Sequence, residues 1–288
     1  LVLYIGGSIV SKRLKRFLRK AKETWMVNET GEVNDTFMNL THVIVGDGEV
    51  VADHIRFLLE DQPHPFVQMW DELVRRIHSQ AVAYQPVYSQ MAAVKYFESQ
   101  CSMVNGQCSM FNVQCSSHYA NSSAIRLANI YAEHPVFCNR GVNGIEGSLS
   151  TAAGFSCVTD DKVFCVIGDL SFFYDQNALW NQNLRGNLRI LLLNNGRGGI
   201  FNMLPGLEQS PARDKLVAAA HHTSAEGICQ QNHVTYLKAT NMEEMQKGIA
   251  TLLNKDSDTP VLLEVFTNPA DDQTVLQSYY QSLDASKI

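Results

Sequence analysis

The stretch from Val163 to Phe201, VFCVIGDLSFFYDQNALWNQNLRGNLRILLLNNGRGGIF, predicts the fold of the larger part of this chain. Its apolar runs Val163–Ile167 and Leu188–Leu193 are short and bounded by turn residues, as expected of parallel strands buried on both faces. Residues 174–185 between them have the length and apolar spacing of a helix. The stretch therefore predicts a strand-helix-strand unit of the α/β class.

Both predicted strands end in polar turn residues, Asp169 after the first and Asn195 after the second. Because neighbouring parallel strands end at the same edge of a sheet, we expect these two side chains to meet. A helix cap and a turn are the ordinary uses of Asp and Asn. A carboxylate, an amide oxygen and a loop carbonyl also suit Mg²⁺ that takes its remaining ligands from water and phosphate.

The start of the helix after Asp169 has the features of an anion site. Gly168, Leu170 and Ser171 offer backbone N–H groups and a hydroxyl where negative charge is favoured. Together with the metal ligands, these groups predict a site for a diphosphate.

The composition restricts the classes of function. The chain has 288 residues, 45% of them hydrophobic and 18% charged, as is ordinary for a globular α/β protein of one or two domains. A net charge of −6 argues against non-specific nucleic-acid binding. No apolar run has the length of a membrane span and the amino end lacks a signal-peptide pattern, so we expect a cytoplasmic protein.

Strand and helix patterns alternate along the whole chain, which predicts doubly wound parallel sheets covered on both faces. A polar, turn-rich break at Glu60–Pro65 separates a first group of elements from the rest. We expect two domains, residues 1–85 and residues 86–288. Within the second, we also expect a strand at Val136–Cys138 and a helix at Asp214–Ala220.

The Asp169 and Asn195 motifs resemble the binding signature of the thiamine-diphosphate enzymes, in which Gly-Asp-Gly is followed some two dozen residues later by Asn-Asn. In this chain Leu170 replaces the third-position glycine. Together with three further stretches, this replacement resembles the 2-succinyl-5-enolpyruvyl-6-hydroxy-3-cyclohexene-1-carboxylate synthases of menaquinone biosynthesis, the MenD family. The stretches are CNRGVNGIEGSLSTAAG from Cys138, GGSIVSKRL from Gly6 and ANSSAIRL from Ala120.

The resemblance implies a transferase that binds thiamine diphosphate with Mg²⁺, or with Mn²⁺. It decarboxylates 2-oxoglutarate and adds the succinyl fragment to isochorismate. A homodimer or homotetramer is implied, because members of the family place the cofactor between two subunits. Residues 1–85 would be the end of a Rossmann-like central domain and a linker, and residues 86–288 the diphosphate-binding domain.

The resemblance also implies that a pyrimidine-binding domain, with the Glu that relays protons to the cofactor, is not among these 288 residues. We therefore expect a fragment that has no synthase activity alone. No residue of the chain is assigned a proton-relay role.

The resemblance assigns roles to residues that composition alone would place in the core or on the surface. Ile145 would press the cofactor into a bent shape, and Ile200, Phe201 and Leu204 would form an apolar wall beside its reactive carbon. The remaining assignments are Asn121, Gly168, Leu170 and Ser171 for the cofactor, and Asp169, Asn195 and the carbonyl of Arg197 for the metal.

Basic residues are the candidate substrate ligands, because each implied substrate carries two carboxylates and a guanidinium pairs well with such anions. Lys12 and Arg13 would otherwise be solvated helix surface. The candidates are Arg126, Arg140, Lys12 and Arg13, with Ser122 beside them at a strand-helix junction.

Two other features are interpreted as structural. Cys101, Cys108 and Cys115 recur every seven residues without a closely spaced pair, so a loop is favoured over a zinc or redox site. His221 and His222 have no ligand at metal spacing, which favours a turn or a supporting role beside the site.

Two alternatives remain. One is another thiamine-diphosphate enzyme, such as a 2-oxoacid decarboxylase or an acetolactate synthase. The other is a non-catalytic nucleotide-binding module of Rossmann type, which would need a Gly-x-Gly-x-x-Gly turn that IGGSIV at Ile5–Val10 does not supply.

Overall fold

The structure is a computed structural model. It describes residues 1–7, 9, 11–59, 65–101, 103–104, 107–108, 113–141, 144–203, 206–207, 209–254 and 256–283. Leu204 and the side chain of Lys12 lie outside this description. The described residues form two compact units, residues 1–72 and residues 73–288.

The smaller unit is built on a parallel sheet of three strands in the order β1-β2-β3. A small core of Tyr4, Met26 and Phe37 lies against it. The elements are β1 (Val2–Ile5), α1 (Lys12–Leu18), β2 (Thr24–Asn28), β3 (Leu40–Val45) and α2 (Gly48–Leu59). The helix α3 (Pro65–Ala83) contains the boundary at residue 72.

The larger unit is built on a seven-stranded sheet in the order β4-β5-β6-β7-β8-β10-β9. Five neighbouring strands of this sheet are parallel, in the spatial order β6-β7-β8-β10-β9. The short strands β4 and β5 pair antiparallel at the edge beside β6. The strands are β4 (Met103–Val104), β5 (Gln107–Cys108), β6 (Val113–Tyr119), β7 (Lys162–Gly168), β8 (Leu188–Asn194), β9 (Thr235–Ala239) and β10 (Val261–Phe266). The predicted α/β class with parallel sheets is confirmed.

Helices cover both faces of this sheet and bury separate apolar cores. On one face lie α4 (Gln90–Gln100), α5 (Ser123–Tyr131), α9 (Met242–Asn254) and α10 (Pro269–Ser282). On the other lie α6 (Ser148–Ser156), α7 (Asp169–Tyr174) and α8 (Glu226–Gln231). Every residue of β8 is buried, which explains why its sequence shows no polar alternation.

The helix expected over residues 174–185 was wrong. In the structure α7 ends at Tyr174, the first residue of this range, and a short 3₁₀ helix follows at Gln176–Trp180. The buried carboxylate of Asp175 interrupts the helix, because its Oδ2 accepts a hydrogen bond of 2.7 Å from the backbone N–H of Ser150 in α6. Its Oδ1 also accepts one from the Ser150 hydroxyl.

Two other elements differ from the expectation. The helix predicted at Asp214–Ala220 is a π-helix at Arg213–Val217, and it ends where the carbonyl of Ala218 accepts from Gly198 N at 2.7 Å. The strand predicted at Val136–Cys138 forms only an isolated bridge between Phe137 and His118. In the Cys-rich connection, the expected loop includes the short strands β4 and β5.

Among the helices in the described ranges, none is both long and apolar enough to cross a membrane.

Candidate cofactor and metal site

The carboxyl ends of β7 and β8 bring the Asp169 and Asn195 motifs together. The two strands are paired in parallel with Gly168 opposite Leu193, so the residues that follow them lie at one edge of the sheet. Oδ2 of Asp169 accepts hydrogen bonds from the backbone N–H groups of Gly196 at 2.7 Å and Arg197 at 3.2 Å. The carboxylate thus lies against the turn that contains Asn195.

The amide of Asn195 is held from two sides. Its Oδ1 accepts from the backbone N–H of Arg197 at 3.3 Å, the same group that donates to Asp169. Its Nδ2 donates to Oδ2 of Asp272 at 3.3 Å. Oδ1 of Asn195 and Oδ2 of Asp169 therefore converge on one N–H group.

Asp272, in the first turn of α10, was not anticipated from the sequence. Its carboxylate also accepts from the backbone N–H of Gln90 at 2.8 Å and the hydroxyl of Thr267 at 2.8 Å. Burial raises the pKa of Asp272, and these donors only partly oppose that effect. Nothing in the local sequence distinguishes it from its neighbour Asp271, since the contact with Asn195 spans 77 residues.

His221 lies beside Asp169, with its Nε2 3.4 Å from Oδ2 of the carboxylate. Its backbone N–H donates to the carbonyl of Gly196 at 2.8 Å, and its ring contacts Phe173 edge-on at 5.3 Å. Nε2 of His221 is buried and has no hydrogen-bond partner among the residues that the structure describes. The neighbouring His222 is exposed.

The loop after β8 packs against both neighbouring loops. A Cβ atom on Gly198 would lie 2.8 Å from the ring of Phe201 and 3.4 Å from Cδ1 of Leu170. One on Gly199 would lie 4.0 Å from Oγ of Ser123. Leu170 and Phe201 therefore flank the loop, and Ile200 beside them is half-buried.

Asn121 ties the loop after β6 to the segment that carries Arg140 and Ile145. Its Nδ2 donates to the carbonyls of Asn139 at 2.9 Å and Gly144 at 2.5 Å. Its Oδ1 accepts from Nη1 of Arg140 at 2.6 Å. The side chain of Asn121 is thus occupied by protein groups, and Ile145 is half-buried in the segment that it holds.

Two guanidinium groups lie near this loop. Partial burial lowers the pKa of Arg126; the phenol of Tyr280 opposes this effect, and the positive charge of Arg140 adds to it. Nε of Arg140 is buried and has no hydrogen-bond partner among the described residues. Two interacting cations and an unpaired donor favour an anion here. Between them, Ser122 has a φ of 70° and a ψ of −123°, a backbone conformation that favours glycine.

The remaining sequence-predicted residues have these places. Gly168 ends β7, and Ser171 is buried in α7. The guanidinium of Arg197 pairs with Asp214 through Nη2, while its buried Nε has no partner in the part of the chain that the structure describes. Lys12 begins α1 in the smaller unit, where Arg13 is exposed.

The donors at the sheet edge fit a divalent metal that is completed by phosphate oxygens. These groups are the carboxylate of Asp169, the amide oxygen of Asn195 and a backbone carbonyl of the turn. They are hard oxygen ligands, and they are too few to enclose the ion. Within the described ranges, no group of three or more His, Cys, Asp or Glu side chains could hold a metal ion. A metal bound at Asp169 would take its remaining ligands from water and from the oxygens of a bound phosphate.

The sequence profile of the thiamine pyrophosphate enzyme C-terminal TPP binding domain matches residues 105–265, which include β7, β8 and both turns. The chain belongs to the thiamine pyrophosphate enzyme family. The match covers the core of the larger unit, including Asp169, Asn195, Arg126 and Arg140. The thiamine-enzyme resemblance stated from the sequence is confirmed.

Three similar curated relatives are each named 2-succinyl-5-enolpyruvyl-6-hydroxy-3-cyclohexene-1-carboxylate synthase. The relative from Bacteroides thetaiotaomicron is 40% identical over 98% of this chain and 50% of its own length. That from Phocaeicola vulgatus is 39% identical over 98% and 49%. That from Flavobacterium johnsoniae is 32% identical over 98% and 50%. The chain spans about half the length of these relatives.

Proposed function

We propose that this chain is the carboxy-terminal half of a thiamine-diphosphate-dependent synthase that decarboxylates 2-oxoglutarate and joins the succinyl fragment to isochorismate. The observation that carries the proposal is the convergence of Asp169 and Asn195 on the N–H of Arg197. The interacting positive charges of Arg126 and Arg140 in the same unit support it. The identity of close to 40% with relatives named for this reaction supports it.

Asp169, Asn195 and the carbonyl of Arg197 would hold Mg²⁺ or Mn²⁺, and Gly168, Leu170 and Ser171 would contact the diphosphate. Thiamine diphosphate, when bound, supplies the electron sink that lets the bond between carboxylate and keto carbon break. Ile145 would press on the cofactor, while Ile200, Phe201 and Leu204 would exclude water from its reactive carbon. Asn121 would hold the Arg140 and Ile145 segment in place through its three hydrogen bonds to that segment.

Arg126 and Arg140 would bind the substrate carboxylates. Their two positive charges lie close enough to affect each other, and an anion placed at them would relieve that repulsion. We propose Ser122, Lys12 and Arg13 as further substrate contacts. Carbon dioxide leaves from 2-oxoglutarate, and the remaining four-carbon fragment forms a carbon–carbon bond to the ring alkene of isochorismate.

We further propose that residues 1–85 are the end of a central domain and a linker, and that residues 86–288 are the diphosphate-binding domain. The full-length enzyme would be a cytoplasmic homodimer or homotetramer. The proton-relay Glu would lie in a domain outside this chain, so we expect the 288-residue chain alone to show no turnover.

Product formation by the full-length protein tests the proposal. We expect carbon dioxide release from 2-oxoglutarate and coupling to isochorismate, with pyruvate a poor substitute. Asp169→Asn should abolish both the activity and the calorimetric binding of thiamine diphosphate with Mg²⁺. Asp160→Asn is the matched control, because that carboxylate is 96% exposed and pairs only with Arg185 among the described residues. Preference for pyruvate would favour a decarboxylase or an acetolactate synthase instead.

A further inference from the structure

Four separate parts of the chain meet at Asp272. It lies in the first turn of α10 and accepts hydrogen bonds from Thr267 at the end of β10, from Gln90 at the start of α4 and from Asn195 after β8. Thr267 is itself fixed, because its backbone N–H donates to the carbonyl of Asn194 at 2.9 Å. Gln90 and Thr267, which lie outside the proposed metal site, therefore hold the carboxylate in one orientation.

An ionised carboxylate only accepts hydrogen bonds, whereas an amide has one donor end and one acceptor end. The amide nitrogen of Asn195 must therefore face Asp272, at 3.3 Å, and its Oδ1 must face the other way. On that side Oδ1 shares the N–H of Arg197 with Oδ2 of Asp169, at 3.3 Å and 3.2 Å. The reversed amide would set two acceptors against each other at Asp272 and two donors against each other at Arg197.

We infer that Asp272 is a positioning residue, which holds the amide of Asn195 so that Oδ1 faces the carboxylate of Asp169. The inference rests on the proposed function, since it concerns the metal that these two oxygens would bind. Asp272 itself makes no contact with the proposed ligand Asp169 in the described hydrogen-bond network; it acts through Asn195.

Two isosteric variants and their combination test the inference. In Asp272→Asn, the N–H of Gln90 continues to donate to the carbonyl oxygen of the new side chain. The NH₂ of the new side chain then faces the NH₂ of Asn195, and the repulsion favours rotation of the Asn195 amide. In Asn195→Asp, two carboxylates face each other. The double variant N195D/D272N exchanges the two groups and restores a donor opposite an acceptor. No variant changes the side-chain volume appreciably.

The readout is Mn²⁺ affinity, measured by electron paramagnetic resonance titration of the full-length enzyme with thiamine diphosphate present. We expect each single variant to bind Mn²⁺ about 10- to 100-fold more weakly, the usual effect of losing a group that orients a metal ligand. The double variant should recover most of that loss. Asp271→Asn is the matched control, because Asp271 is exposed in the same helical turn and should keep the wild-type affinity. Thermal melting checks that all variants are folded.

Three outcomes separate the possibilities. If wild type binds Mn²⁺ and D272N binds it equally well, Asp272 does not position Asn195. If both single variants lose affinity but the double variant does not recover, the effect of Asp272 is only structural and the inference is wrong. If wild type itself binds no Mn²⁺ with thiamine diphosphate, the proposed function fails, and the inference fails with it.

Discussion

The imidazole of His118 stacks on the ring of Phe137, with centroids 5.1 Å apart and planes 26° apart. A second ring, that of Phe155, lies 5.3 Å from it. His118 is buried, and no described residue forms a hydrogen bond with its Nε2. Burial among these groups lowers the pKa of His118, so the folded protein holds this ring neutral.

This relationship predicts a loss of stability in acid. The unfolded chain binds the proton at a pKa near 6.5 and the folded chain only at a lower pH, so the free energy of unfolding falls as the pH drops below about 6.5. The slope contributed by one such group is at most about 1.4 kcal/mol per pH unit. His118→Phe should remove this contribution. The measurement is the free energy of unfolding in urea, compared between neutral pH and a pH below about 6.5.

The control for His118→Phe is His222→Gln, which alters an exposed ring and should leave the acid sensitivity of the wild type unchanged. An identical loss of stability in His118→Phe and wild type over the same pH interval would contradict the prediction.

Ser122 predicts a trade between stability and activity. Its backbone, with φ 70° and ψ −123°, is unfavourable for any residue with a Cβ atom. Ser122→Gly should raise the free energy of unfolding by about 1 kcal/mol, measured by the denaturation midpoint at unchanged m value. If the hydroxyl contacts substrate as proposed, KM should rise at the same time. Ser123→Gly, one residue on and inside α5, should instead destabilise the protein.

Arg189 is the basis of a prediction of increased stability. Its side chain is buried in β8, and its Nε and Nη1 have no hydrogen-bond partner within the described ranges. Burial lowers the pKa of Arg189, although the charge of Asp256 opposes this shift. Because buried donors without hydrogen bonds are costly, Arg189→Met should raise the free energy of unfolding by about 1–3 kcal/mol.

Lys247→Met is the control for the arginine change, since Lys247 is 74% exposed and pairs with Glu243 one turn away. Its effect should stay within about 0.5 kcal/mol. A destabilised Arg189→Met variant would mean that the guanidinium is satisfied in solution by a group such as Asp256.

Two buried cysteines should be unreactive in the folded protein. Burial is the main cause that raises the pKa of Cys165 to about 12 and that of Cys229 to about 12. Because the thiolate is the nucleophile, iodoacetamide at mildly alkaline pH should leave both unmodified until urea is added. The half-buried Cys157 provides the comparison within the same sample. Mass spectrometry that found Cys165 modified as fast as Cys157 would contradict this expectation.

The sequence predicted the parts of the fold that depend on local pattern. The apolar runs at β7 and β8 were confirmed as adjacent parallel strands, because a strand buried on both faces has a distinctive composition and clear turn boundaries. The meeting of Asp169 with the turn after β8 followed from that pairing alone.

Contacts between distant segments could not be predicted in the same way. Asp175 interrupts the expected helix because Ser150, 25 residues earlier in the chain, donates to its carboxylate. Asp272 reaches the proposed metal site from a segment whose local sequence carries no matching signal. These long-range contacts depend on how the helices pack on the sheet, and the short-range periodicity of the sequence does not determine that packing.

The pairing of β7 with β8 has a consequence for how this protein tolerates change. Opposite partners in the two strands, such as Gly168 and Leu193, set the height at which each following turn leaves the sheet. Deleting one residue inside Leu188–Asn194 would shift the Asn195 turn by about 3.3 Å along the strand and turn its side chains to the opposite face of the sheet. The same deletion in the loop before β8 would be absorbed by that loop. Changes of chain length should therefore be tolerated in the loop before β8 and should disrupt the proposed metal site when they fall inside the strand.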